Sequence, residues 1–162
     1  MKKRWFYTYF AAAAVGTALH FVYELWPSAL SGIVSPVNES VWEHLKLLFW
    51  PMLAAGFFLA KEARGSRRFW GAWLIGLLLT PCFLLGVFYT LLAGFGVESL
   101  AVDLSLYYVS LALGFLSAWH TKSSDAAEKA AGILVIAAGL YGAALLLFTA
   151  APPALPIFFS KV

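Results

Sequence analysis

The chain has 162 residues, of which 62% are hydrophobic and only 12% charged, whereas a water-soluble domain is roughly 45–50% apolar and about 25% charged. There is too little polar surface to cover a globule of this size, which excludes a soluble enzyme and implies a polytopic membrane protein. The net charge of +3 comes from Lys and Arg at the ends of apolar segments. There it sets orientation and argues against a nucleic-acid partner.

A window of about 19 residues, matched to the hydrocarbon thickness, predicts a single all-α transmembrane domain over residues 1–162 with five spans, at about 5–26, 41–60, 69–95, 100–119 and 130–151. The first follows Lys2, Lys3 and Arg4 and could be mistaken for a signal peptide. Its apolar run is too long for an h-region and has Trp5 and Trp26 at its ends, so it is expected to be retained. The second opens on a polar stretch, Pro36 to Lys46, and contains Pro51; the third contains Pro81 and the lone Cys82. Each proline removes a backbone hydrogen bond and predicts a kink. One cysteine can form neither an internal disulfide nor a Cys-based metal site. Gly71 and Gly76, then Gly132, Gly139 and Gly142, are expected at close helix–helix approaches.

Basic residues favour the cytoplasmic side. With the N-terminus inside, that side holds Lys2, Lys3, Arg4, Lys61, Arg64, Arg67, Arg68, Lys122 and Lys129, against Lys161 alone outside. The prediction is a multi-pass protein of the plasma (inner) membrane with its N-terminus in and its C-terminus out. Residues 61–68 and 121–128 then form cytoplasmic loops, while 26–40 and 96–99 face outward.

The ionisable residues near the spans are concentrated at the predicted outer end. His20 and Glu24 are four apart, on one helix face. Glu39, Glu43 and Lys46 stand at the start of the second span, with Asn38, Ser40 and His44 beside them, and Asp103 enters the fourth span from the same side. A charged group at mid-membrane costs roughly 2.5–3.5 kcal/mol, so these groups are expected to pair within one cavity. Ser40-Val41-Trp42-Glu43 also reads as a capping box, which leaves His44, Lys46, His20 and Glu24 unexplained. His120, far along the fourth span, reads as an interfacial residue.

The run Leu19-His20-Phe21-Val22-Tyr23-Glu24, followed by Pro36-Val37-Asn38-Glu39-Ser40-Val41-Trp42-Glu43-His44 and by Leu45 through Pro51, resembles a family of small bacterial polytopic membrane proteins of unknown function. The resemblance covers about a third of the chain. It implies a bacterial membrane protein and carries no activity.

Three readings stay open. The first is a metal-dependent intramembrane hydrolase acting on a lipid-like substrate. It would use His20, Glu24, Glu43, His44 and Asp103 as candidate ligands for Zn, Fe or Mn, Glu39 as base, and Asn38 and Lys46 as ligand-binding groups. No HExxH-type spacing supports it. The second is a cation- or proton-coupled transporter opening at the proline kinks. The third is a scaffold or subunit whose polar cluster fixes helix register. Membrane lipids are the expected surroundings, with a second copy or a membrane subunit as partner.

Overall fold

In the computed structural model, which describes residues 3–61, 63 and 65–159, the chain is all-helical, without a strand among the described residues. Lys2, Arg64 and Lys161 of the basic count lie outside the described residues. The helices are α1 (Lys3–His20), α2 (Val22–Leu25), α3 (Ala29–Val34), α4 (Val41–His44), α5 (Lys46–Ala60), α6 (Arg67–Tyr89, prolonged by a π turn at Thr90–Gly94), α7 (Leu100–Thr121) and α8 (Asp125–Ala150). A 3-10 turn, Pro156–Phe158, follows.

Of the five expected spans, three are present as single helices long and apolar enough to cross a membrane: Arg67–Gly94, Leu100–Thr121 and Asp125–Ala150. The other two are interrupted. The segment expected at 5–26 stops as a regular helix at His20, and its 18 residues include Lys3 and Arg4. The segment expected at 41–60 is divided at Leu45, which leaves α5 with 15 residues, about 22 Å at 1.5 Å per residue against a hydrocarbon core of about 30 Å.

Both interruptions are visible in the hydrogen bonding around them. In a continuous helix the Tyr23 amide would donate to the Leu19 carbonyl. Here the Ser35 hydroxyl stands between them, accepting from Tyr23 N at 3.0 Å and donating to Leu19 O; an inserted side chain of this kind opens a helix. At the second break the Leu45 amide is shared between the Trp42 and Glu43 carbonyls, a tightened turn. Ser40 caps α4 by accepting from Glu43 N at 3.3 Å. The reciprocal half of the expected capping box does not form, because Asn38 Oδ1 takes the Ser40 amide at 2.9 Å and the Glu43 carboxylate is engaged elsewhere.

The long helices alternate in direction. Arg4 at the start of α1 donates to Phe58 O near the end of α5 at 3.0 Å. Arg68 at the start of α6 grips the start of α8, with Nε to Glu128 at 2.7 Å and Nη2 to Asp125 at 2.6 Å. At the same end Trp5, Phe69, Trp73 and Phe115 form an aromatic core; Trp73 is fully buried and lies 5.0 Å from Phe115, centroid to centroid.

Helix α6 packs directly on α7 and α8, and small residues permit the approach. A Cβ on Gly76 would collide with the Gly114 carbonyl, and one on Gly71 with the Ala127 carbonyl. Gly142 abuts Phe49. Gly132 and Gly139 depart from the expectation, since nothing lies within 4 Å of either added Cβ. Gly16, Gly56 and Gly114 are the close approaches that the sequence left unmarked.

Pro51 leaves the Leu47 carbonyl without its helical donor. The Tyr107 hydroxyl of α7 lies 3.4 Å from that oxygen and 3.3 Å from Ala13 O. A third helix thus helps to satisfy what the proline released.

Candidate metal centre

The breaks in α1 and at Leu45 lie side by side, and they juxtapose the two histidines. His20 is the last residue of α1 and His44 the last of α4; their rings are 5.1 Å apart, inclined at 35°. Glu39, on the connection before α4, reaches His44 with Oε2 3.4 Å from Nε2. One ligand-capable atom from each of His20, Glu39 and His44 falls within 4.8 Å of the other two.

The orientation of His44 is set from behind. Its Nδ1 lies 2.8 Å from the Ser40 carbonyl, an oxygen that can only accept, so Nδ1 is the donor in this contact and Nε2 is the ring atom turned toward Glu39. This is the arrangement by which metal-bound imidazoles are commonly aligned. On His20 the Nδ1 atom is buried and has no hydrogen-bond partner among the described residues. A buried nitrogen left unpaired is costly.

The spacing suits a small divalent ion. Ligands at about 2.0–2.2 Å from a tetrahedral cation lie roughly 3.3–3.6 Å from one another, and the His44–Glu39 separation of 3.4 Å already falls in that range. The His20 nitrogen would need to close by on the order of 1 Å. Two imidazoles and a carboxylate suit Zn, Fe or Mn and leave coordination positions over for water or substrate. The site is also accessible, with the His44 and Glu39 side chains 31% and 72% exposed.

The remaining candidates lie apart from this group. Glu24 and Asp103 are exposed and do not join it. Asn38 is occupied by the Ser40 amide. Glu43 and Lys46 form a separate buried pair, Nζ to Oε2 at 2.6 Å. The Lys46 ammonium also donates to Gly32 O at 2.7 Å and Ser35 O at 3.4 Å, which accounts for all three of its protons. Glu43 accepts in addition from Val37 N at 3.0 Å and from the Thr149 hydroxyl at 2.7 Å. The expectation that at least four of the predicted residues converge on one cavity is therefore replaced by a three-residue group beside a self-contained ion pair.

That pair positions the group. By holding Gly32, Ser35 and Val37 it ties α3 and the 35–37 stretch to the start of α5, and Ser35 is the residue whose hydroxyl opens α1 next to His20. Ser35 and Thr149 carry no sequence signal for these roles. Ser35 acts on a carbonyl 16 residues earlier and Thr149 on a carboxylate 106 residues earlier.

A family model described as a Family of unknown function (DUF6512) matches residues 1–162. No curated protein and no solved structure matches the chain.

Proposed function

The chain therefore belongs to a family to which no activity is attached, and from that premise we propose a divalent-metal-dependent membrane protein whose centre is His20, Glu39 and His44. The observation that carries the reading is the convergence of these three ligand atoms within 4.8 Å at two adjacent helix breaks. Discontinuous helices at a ligand site are a recurring device in membrane proteins. It is reinforced by the anchoring of His44 through Nδ1 to the Ser40 carbonyl and by the buried His20 Nδ1, which has no hydrogen-bond partner among the described residues.

A cation here would act as a Lewis acid and lower the pKa of a coordinated water, and the reaction class that fits is hydrolysis of a lipid-like substrate at the membrane surface. Glu39 serves better as a ligand than as the general base, because its carboxylate faces His44 directly. Transport has less support, since the group occupies one end of the bundle and His120, in the last turn of α7, is exposed. A scaffold is favoured by one observation, the fully satisfied Glu43–Lys46–Thr149 network.

In the membrane, α1 and the bent α4–α5 unit cross beside the three long helices. The resulting five-span bundle has its N-terminus in the cytoplasm and the metal centre near the outer surface of a bacterial inner membrane.

Metal analysis of the purified protein tests the function. About one equivalent of Zn, Fe or Mn should be retained at neutral pH and released on acidification, because imidazole must be neutral to coordinate. His20→Ala/His44→Ala should lose the metal while remaining monodisperse. If metal content is the same in both proteins, these histidines are not the ligands, and if neither binds metal after reloading, the scaffold reading takes its place.

A further inference from the structure

A second site stands at the opposite end of the bundle. A cavity of about 320 Å³ lies where the start of α1, the end of α5, the start of α6 and the end of α7 meet, lined among others by Trp5, Phe69, Trp119, Ser66, Ser123 and Lys122. Its walls and its mouth differ in chemistry. Trp5 and Trp119 pack edge to face with centroids 5.2 Å apart, and Trp5 lies 6.4 Å from Phe69, so the wall is aromatic. The mouth carries the Lys122 ammonium, seated over the Trp119 ring at 2.9 Å from its centroid, together with the hydroxyls of Ser66 and Ser123. Ser66 Oγ accepts from Phe69 N at 3.2 Å, which leaves its proton to donate outward.

We infer that this cavity binds the phosphate head group of an anionic phospholipid from the surrounding bilayer, with Lys122, Ser66 and Ser123 on the phosphate and Trp5 and Trp119 against the glycerol and upper acyl carbons.

Charge complementarity selects the occupant. In the sequence, the segments at this end, residues 2–4, 61–68 and 122–129, carry nine basic side chains against three acidic ones, Glu62, Asp125 and Glu128. The local field therefore favours an anion. Depth selects a lipid over a soluble phosphate: two of the elements that line the cavity, α6 and α7, are helices apolar enough to cross a membrane, and it lies at their ends, where tryptophan rings settle at head-group level.

The test is native mass spectrometry of the protein exchanged from nanodiscs of phosphatidylglycerol or of phosphatidylcholine. One phosphatidylglycerol should be retained in preference to phosphatidylcholine. Lys122→Ala should weaken that retention roughly five- to tenfold, and Ser123→Ala should weaken it less. Lys61→Ala, which removes a cation at the same end that does not line the cavity, should leave retention unchanged. Equal losses from Lys122→Ala and Lys61→Ala would reduce the effect to a diffuse basic surface and overturn the site. Equal displacement by soluble glycerol phosphate would overturn the lipid as its occupant. Circular dichroism of each variant separates loss of binding from loss of fold, and Lys122→Gln, which keeps the stem over Trp119, replaces any Lys122→Ala protein that does not fold.

Discussion

Lys46 has no exposed surface, yet its ammonium carries a charge that an apolar bundle would ordinarily refuse. It is tolerated because each proton meets an oxygen, and because the Glu43 carboxylate is itself held by Val37 N and Thr149. Removing one member of such a pair strands the other. Lys46→Met should therefore lower the unfolding free energy in detergent by about 3–5 kcal/mol. Glu43→Leu/Lys46→Met should recover part of that loss, since no lone charge remains, although the Gly32 and Ser35 carbonyls still lack a donor. A Lys46→Met protein that melts with the wild type would show that water reaches this pair. The sequence displayed the types and spacing of Glu43 and Lys46, but it could not distinguish a ligand-binding lysine from one already saturated. That distinction depends on where Gly32, Ser35 and Thr149 arrive, and these are set by chain path.

Among the helices, glycine has two meanings. Gly71 and Gly76 on α6 admit the backbone carbonyls of Ala127 and Gly114, and Gly56 on α5 lies under the Trp73 indole, whose Nε1 donates to Met52 O at 3.0 Å. A methyl group has no space at these positions. Gly76→Ala should cost about 1–3 kcal/mol, the range of overpacking, and Gly56→Ala should disturb Trp73 fluorescence. Gly132→Ala and Gly139→Ala on α8 meet open space and should be neutral or stabilising by up to about 1 kcal/mol through helix propensity. Thermal denaturation of the four variants checks the division; similar losses at Gly76 and Gly139 would refute it, or reveal a partner seated on α8. These glycines read alike in the sequence because a membrane helix is apolar on every face, so periodicity does not report which face is packed. The breaks were similarly hidden. Pro51 and Pro81 drew the expectation of kinks, whereas α1 is opened by the hydroxyl of Ser35, which is remote in sequence.

At the scale of the whole molecule, the three long helices and the two interrupted segments make different claims on the bilayer. In a Cys82→Ala background, cysteines at Leu30 and Ser123 decide between them. If α4–α5 crosses along with α6 and α7, the two positions should be labelled from opposite sides, Leu30 from outside and Ser123 from the cytoplasm. Labelling from one side would remove α4–α5 from the crossing segments, and reversed labelling would invert the bundle. By itself the sequence determined that this is a helical membrane protein, because its composition leaves too little polar surface for water. It also located the three long helices to within a few residues at most of their ends, because those segments are largely apolar and are bounded by serine, glycine, proline or charged residues. It collected His20, His44, Glu24, Glu39, Glu43 and Asp103 at one end, because they lie near segment ends that alternate in direction. Only the tertiary structure decided which of them meet. Rotation about each helix axis, the two adjacent breaks and the capture of Glu43 by Lys46 all depend on contacts between residues far apart in the chain, and an all-round apolar helix encodes no preferred face from which they could be read.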